Sequence, residues 1–222
     1  KKSNYQICNP KYEINYTRFD LKIKNIGPKK IYINDIKVKL IGKYNVLNAT
    51  AAIALCLSLG LKIKIIKQAL KRFSGVQRRL TKVFKKNKVE FYDDYAHHPT
   101  EIKSVLEAVN KVANKRKIIT IFQPHRYSRI RTLNLEFASC FKNADQIILC
   151  PVYAAGETID KKYNQVKFAK LISKFSKVQV VIVKNELDIV NYFKKNLISD
   201  EIVIGMGAGS ISKWMHNLKK IL

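Results

Sequence analysis

The feature that most constrains this chain is the alternation, from residue 89 to residue 221, of short apolar runs with stretches of helical period. Val89 to Tyr92, Lys117 to Phe122, Ile147 to Cys150, Val178 to Val183 and Ile202 to Ile204 are brief runs rich in β-branched residues, too short for helices. Between and after them, Pro99 to Val112, Arg129 to Phe141, Tyr163 to Phe175, Glu186 to Lys195 and Ser210 to Ile221 carry apolar residues at helical spacing. Strands that are apolar throughout are buried on both faces, and strands separated by helices pair in parallel. The expected fold class is therefore α/β, a Rossmann-like, doubly wound and mostly parallel sheet over residues 77–222. Such sheets bind ligands at the carboxyl ends of their strands.

The first 76 residues read differently. Tyr16, Phe19, Leu21, Ile23 and then Ile31, Ile33, Ile36, Val38, Leu40 alternate with polar residues around Ile26-Gly27-Pro28, which predicts short antiparallel strands joined by a turn. Asn45 to Leu59 has a helical face of Val46, Ala49, Ala52, Ile53 and Cys56 and is stopped by Gly60; a second helix follows from about Lys62 to Arg72. Phe73 to Leu80 has no periodicity and marks the boundary between the two regions.

The net charge of +27 raises a nucleic-acid partner, because a basic surface gains affinity for phosphate backbones by releasing counterions. The lysines are spread over helical and extended segments alike and form no stripe, which argues against a dedicated nucleic-acid module. The arginines are informative. Only eight of the 43 basic residues are Arg, and five fall in two short stretches, Arg78–Arg79 and Arg126, Arg129, Arg131. A planar guanidinium is needed where a phosphate or carboxylate is held in two-point contact, whereas lysine serves as a solvated charge. No apolar run has the length of a membrane span. Cys8, Cys56, Cys140 and Cys150 have neither zinc-finger nor disulfide-framework spacing, so the expected setting is a reducing cytoplasm.

Three polar loops are expected at strand ends: Asp93-Asp94-Tyr95-Ala96-His97-His98-Pro99, Gln123-Pro124-His125-Arg126-Tyr127-Ser128-Arg129, and Pro151-Val152-Tyr153-Ala154-Ala155-Gly156-Glu157. Each interrupts an apolar strand and presents groups suited to an anion. Consecutive His97 and His98 rarely converge on one ion, and no acidic or thiol partner has zinc spacing, so no metal site is expected. Gly205-Met206-Gly207-Ala208-Gly209 has glycines like those of a dinucleotide fingerprint, but it opens the last helix with no strand after it, which predicts a tight strand-to-helix turn.

These segments resemble one family. Gly42-Lys43-Tyr44-Asn45-Val46-Leu47-Asn48-Ala49-Thr50-Ala51-Ala52, Phe73-Ser74-Gly75-Val76-Gln77-Arg78-Arg79, the Asp93 to Glu101 run, Phe122 to Tyr127, and Val152 to Glu157 occur in the order seen in the Mur ligases, in particular those that add L-alanine. The resemblance implies ATP-dependent ligation of L-alanine to UDP-N-acetylmuramate, through an acyl phosphate, with ATP and Mg2+ as cofactors. It implies that residues 1–76 are the carboxy-terminal part of a central ATP-binding domain and 77–222 the ligase carboxy-terminal domain. Asn45 and Asn48 are similar to the pair at the adenine, Arg79 to the arginine at the phosphates, and Asp94 to the carboxylate at the ribose. Tyr95, His97, His125, Arg126 and Arg129 are similar to the groups that hold L-alanine and the acyl phosphate, with Arg79, Asp94, His125 and Arg126 the catalytic set.

The sequence contains no G-x-x-x-x-G-K-[ST] phosphate loop, so the expectation is that it cannot ligate without an amino-terminal half carrying that loop, most magnesium ligands and a UDP-binding domain. Two alternatives are carried: a ligase that recycles a preformed tripeptide, which shares the Asp-Asp-x-Ala-His-His-Pro-Thr run, and a basic nucleic-acid module. His125-Arg126-Tyr127 favours the L-alanine type.

Overall fold

The computed structural model describes residues 3–13, 16–24, 30–196 and 200–222, and the turn expected at Ile26-Gly27-Pro28 lies outside them. The chain divides into two compact units, Lys1–Gly75 and Val76–Leu222. In the first, β1 (Tyr5–Glu13), β2 (Tyr16–Ile23) and β3 (Ile31–Val38) form an antiparallel sheet with β2 in the centre. The strict alternation of Phe19, Leu21 and Ile23 aims all three at the core, where they are at most 1% exposed. On β3 the inward positions Ile33 and Ile36 are three apart, because a bulge lies between Phe19 and Leu21 in the β2–β3 register. Asp35 takes up the extra residue in the left-handed region (φ 52°), with its N–H donating to Asp20 Oδ1 at 2.8 Å. Helices α1 (Lys43–Ser58) and α2 (Ile63–Arg72) cover this core through Val46, Ile53 and Ile66. Gly60 follows α1 at φ 80°, a conformation that stops a helix at least strain in glycine.

The second unit is a six-stranded sheet in the order β4-β5-β9-β6-β7-β8, made of β4 (Thr81–Lys86), β5 (Val89–Asp94), β6 (Ile118–Phe122), β7 (Gln146–Leu149), β8 (Gln179–Ile182) and β9 (Ile202–Met206). Every pairing is parallel except that of β4 with β5, which gives the mixed α/β, mostly parallel sheet that the strand–helix alternation requires. Helices α3 (Pro99–Asn110), α4 (Tyr127–Thr132), α5 (Asn134–Ser139), α6 (Gln165–Ser176), α7 (Glu186–Asn196) and α8 (Ile211–Ile221) connect or follow the strands. Val89, Phe91, Ile121 and Val203 point to the face covered by Phe193 of α7 and Met215 of α8. Phe122 points the other way, its ring 5.7 Å from Phe137 of α5 and 5.1 Å from Phe141.

Three elements depart from the sequence reading, the first being β1, most of which precedes the residues read as strands. The edge strand β4 was not foreseen, since Thr-Lys-Val-Phe-Lys-Lys is mostly polar and its alternation is broken by a register shift between Lys82 and Phe84. The single helix expected from Arg129 to Phe141 is two short ones, broken at Leu133, whose φ of −114° and ψ of 33° are not helical.

Phe91 lies at the centre of the β5 face, 0% exposed, stacked on Phe84 at 4.1 Å and edge-on to Phe193 at 5.6 Å. Phe91→Ala is expected to destabilise the second unit by about 3–5 kcal/mol in urea unfolding, the cost of an aromatic-sized cavity that neighbours cannot refill.

Candidate functional site

The parallel strands β5, β9 and β6 end side by side, and the three loops that leave them are bound to one another. Gly207 N–H donates to the Asp94 carbonyl at 3.3 Å and Gln123 N–H to the Met206 carbonyl at 2.9 Å. Buried Gln123 turns back on the start of α8, accepting the Ile211 N–H at Oε1 (3.0 Å) and donating from Nε2 to Ser210 Oγ (2.9 Å). The glycine-rich segment is the tight turn expected of it. A Cβ on Gly207 would lie 2.7 Å from the Gln123 carbonyl oxygen, and one on Gly209 would lie 2.4 Å from Tyr153 Cγ.

After β5 the chain enters the first polar loop through two buried carboxylates. Asp93 accepts from Ser212 Oγ of α8 at 2.5 Å, with Arg78 Nε at 3.7 Å. Asp94 accepts the Leu80 N–H at Oδ2 (2.7 Å) and the Ala96 N–H at Oδ1 (2.8 Å). Burial pushes the Asp94 carboxyl up to about 6, against the lowering effect of these two N–H groups and of Arg79. Tyr95 is exposed, with its N–H bonded to the Arg78 carbonyl (2.8 Å) and the Arg78 guanidinium 4.6 Å from its ring centre. His98 then caps α3: its Nδ1 accepts the Thr100 N–H, while Glu101 Oε2 accepts the N–H groups of His97 (3.0 Å) and His98 (3.2 Å). Burial acts to raise the Glu101 carboxyl, but those N–H groups and the nearby cations outweigh it and hold it below the usual range.

The second and third loops are sewn together. Tyr153 N–H donates to the Pro124 carbonyl (2.8 Å) and Arg126 N–H to the Tyr153 carbonyl (2.9 Å), so His125 and Tyr153 form a parallel bridge. The His125 ring stacks with that of Tyr153 and lies 5.6 Å from that of His97. Arg129 Nη1 donates to His125 Nδ1 at 3.1 Å. Because guanidinium has no acceptor, Nδ1 must be the bare nitrogen and the ring N–H sits on Nε2. Partial burial, together with Arg129, His97 and Arg126, lowers the His125 pKa from its ordinary value and so favours the neutral ring.

The structure thus brings Tyr95, His97, His125 and Arg129 into one cluster in the second unit, with Arg126 exposed at the start of α4. Arg79 is exposed at the entrance to β4, where its charge favours ionised Asp94 and Glu101. Asn45 and Asn48 lie one turn apart on α1 of the first unit; Asn45 Nδ2 donates to the Ile41 carbonyl at 2.8 Å, and Asn48 is exposed. Asp94, expected at a ribose, is 1% exposed, one oxygen accepting the Leu80 N–H and the other the Ala96 N–H. Arg78, which the sequence pairs with Arg79 as a candidate anion grip, is also committed inward, donating to the Gly207 carbonyl at 2.6 Å. Sequence reasoning gave Gln123, Glu101 and Glu157 no role beyond their motifs. A buried glutamine after an apolar strand, and a Glu three residues beyond His98, were the signals available.

The fold and these loops define a doubly wound α/β unit with an anion-oriented cluster at the carboxyl edge of its sheet. Residues 78–209 match the family model of the Mur ligase glutamate ligase domain, and the chain belongs to the Mur ligase family. It is 46% identical over 221 residues to a UDP-N-acetylmuramate–L-alanine ligase of Pelagibacter ubique and 40% identical over 215 residues to one of Rickettsia prowazekii. These alignments cover 100% and 95% of this chain but 48% and 43% of those proteins, so the chain spans about half the length of the curated relatives it matches. The crystal structure of MurC from Thermotoga maritima superposes with a TM-score of 0.80 at 26% identity, covering 99% of this chain and 46% of that one. A murein peptide ligase of Psychrobacter arcticus shares the fold, with a TM-score of 0.67 at 20% identity over 99% of this chain and 44% of its own.

Replacing Arg129 by Met removes the cation against His125 while keeping the side chain's bulk. The His125 pKa, followed by the NMR shift of its Cε1–H with pH, is expected to rise toward the ordinary histidine value. Asp94→Ala leaves the Leu80 and Ala96 N–H groups without acceptors and is expected to cost about 2–4 kcal/mol in thermal unfolding, whereas a loss near zero would show that Asp94 is no anchor.

Proposed function

We propose that this chain is the carboxy-terminal half of an ATP-dependent ligase that joins L-alanine to UDP-N-acetylmuramate in peptidoglycan synthesis. The observation that carries the proposal is the 46% identity, along the whole chain, to a ligase named for that reaction, together with the Tyr95, His97, His125, Arg129 cluster. Residues 1–76 would be the carboxy-terminal part of the central ATP-binding domain and 77–222 the ligase domain. The cytoplasm, where nucleotide-linked precursors and ATP are available, is the proposed location.

The reaction class is phosphoryl transfer to a carboxylate followed by attack of an amine on the acyl phosphate. The groups in this chain suit the charge that such steps create and move. Exposed Arg126 and the Arg129 guanidinium are placed for the carboxylate of the amino acid or the leaving phosphate, where a planar fork gives two-point contact. Neutral His125 offers its Nε2–H as a donor to an oxygen that gains negative charge. His97, fixed by Glu101 and by its Nδ1 contact with the Tyr95 carbonyl at 2.9 Å, lines the same cluster. For ATP, the exposed Arg79 guanidinium suits the phosphates, while Asn48 and the free side-chain carbonyl of Asn45 suit the adenine edge. Asp94 acts by holding Leu80 and Ala96, and so the strand entry beside Arg79, in place. Among the described residues no group of three or more His, Cys, Asp or Glu side chains is placed to hold a metal ion, so no step is assigned to magnesium held by this chain.

The relatives' reaction makes L-alanine the proposed acceptor substrate, in preference to the preformed peptide of the recycling ligases. In the protein expressed together with its amino-terminal half, ADP release is expected to require both UDP-N-acetylmuramate and L-alanine. Arg126→Ala is expected to lower kcat/KM by about 100-fold or more. ADP release that responds to a tripeptide and not to L-alanine would replace this reading with the recycling one.

A further inference from the structure

Glu157 ends the third polar loop and takes no part in the phosphoryl-transfer and ligation steps proposed above. Its carboxylate grips the first turn of α4 twice, Oε2 accepting the Ser128 N–H at 3.1 Å and Oε1 accepting the Ser128 hydroxyl in a second, short hydrogen bond. The hydroxyl bond, then the N–H bond, hold the Glu157 carboxyl below its usual range, so the clamp is ionised at neutral pH.

What the clamp restrains is the segment that carries the cluster. Arg126 begins α4 with φ 69° and ψ 129°, a backbone conformation that costs a non-glycine residue on the order of 1–3 kcal/mol and persists only where surroundings impose it. The backbone restraint is the Arg126 N–H bond to the Tyr153 carbonyl, in the same loop as Glu157. The loop therefore holds the turn from both sides, at Arg126 through Tyr153 and at Ser128 through Glu157. One residue beyond Ser128, Arg129 reaches back to His125 Nδ1 and to the His125 carbonyl at 3.3 Å. The loop itself turns through Ala155 (φ 51°) and Gly156 (φ 86°), a left-handed pair that brings Glu157 back toward α4.

We propose that Glu157 is a positioning residue: through Ser128 it fixes the rotation of α4, so that Arg126 faces outward and Arg129 keeps His125 in the Nε2–H form. It touches no substrate. The catalytic consequence rests on the ligase reading above, but the tautomer of His125 does not, and it can be read in this chain alone.

The test is 15N NMR of the histidine rings in the 222-residue chain, which separates a bare Nδ1 from a protonated one, in Glu157→Ala, Glu157→Gln and Ser128→Ala. In the unaltered chain His125 should be almost wholly Nε2–H at pH 8. Glu157→Ala is expected to release α4 and shift His125 to a mixture of tautomers. Glu157→Gln, whose amide can accept from the Ser128 N–H and donate to its hydroxyl, is expected to restore the single form, and Ser128→Ala to fall between. A folded Glu157→Ala chain with His125 unchanged, or a Gln variant no better than Ala, overturns the proposal. Should Glu157→Ala fail to fold, Ser128→Ala keeps the test decisive: it loses one of the two bonds and has to show the partial tautomer shift. With the amino-terminal half present, Glu157→Ala is expected to raise the KM for L-alanine about tenfold or more with a smaller change in kcat, and Glu157→Gln to recover it. Loss of tautomer control with unchanged kinetics would overturn the catalytic consequence, whereas absence of L-alanine-dependent ADP release in the unaltered protein would count against the ligase reading and leave the tautomer result standing.

Discussion

The bond from the Ile211 N–H to the side-chain carbonyl of buried Gln123 is the constraint on which the site depends. It joins the end of β6 to the start of α8, across the turn that leaves β9. Positions 207 and 209 of that turn have to be glycine, because Gln123 and Tyr153 occupy the space a Cβ would need there. Once these ends are pinned, the loops after β5, β6 and β7 have little freedom in where they emerge. The chemistry follows from their proximity: a histidine from the first loop faces one from the second, and a tyrosine from the third stacks on the latter.

Burial and charge divide the polar groups of this edge into two kinds. Asp93, Asp94, Arg78 and Gln123 face inward and make their hydrogen bonds to backbone groups or to the hydroxyls of Ser210 and Ser212 on the start of α8, although Arg78 Nε and Asp93 Oδ1 have no hydrogen-bond partner among the described residues. Arg79, Arg126 and Tyr95 face outward, and Arg79 and Arg126 bring fixed positive charge to the surface at this edge. Sequence order does not announce the division, since adjacent Arg78 and Arg79 fall on opposite sides of it. The positive charge spread over the rest of the chain has no such organisation, and no observation in the fold favours a nucleic-acid interface over the ligase cluster.

How much could be read in advance depended on how local the cause was. The parallel strands β5 to β9 and their helices were legible, because continuous apolar runs and helical periodicity are properties of neighbouring residues. β4 was not, although its partner β5 follows at once, because an edge strand tolerates a mostly polar sequence and a register shift breaks its alternation. Nor was the break at Leu133, where Arg129 to Phe141 keeps helical periodicity and only packing against the rest of the unit bends the backbone. At the site, the residue types and the three strand-end loops were visible, and so was the likeness to the Mur ligases, which the family match established. The inward commitment of Asp94 was not visible, because burial of a carboxylate is decided by residues such as Leu80 that come together with it only on folding.

The sequence by itself determined the class of fold, the order of its parallel strands, the glycine turn before α8 and the set of groups available for chemistry, since each is encoded in spacing or residue type. Tertiary structure alone decided which groups are free to act. The Nε2–H form of His125 requires Arg129 to point back at it, the orientation of α4 requires Glu157 from a loop 29 residues later to hold Ser128, and the strained backbone of Arg126 requires the Tyr153 carbonyl beside it. Two of these contacts join separate loops and the third, at the start of α4, depends on the turn they hold; no local pattern of apolar residues records them.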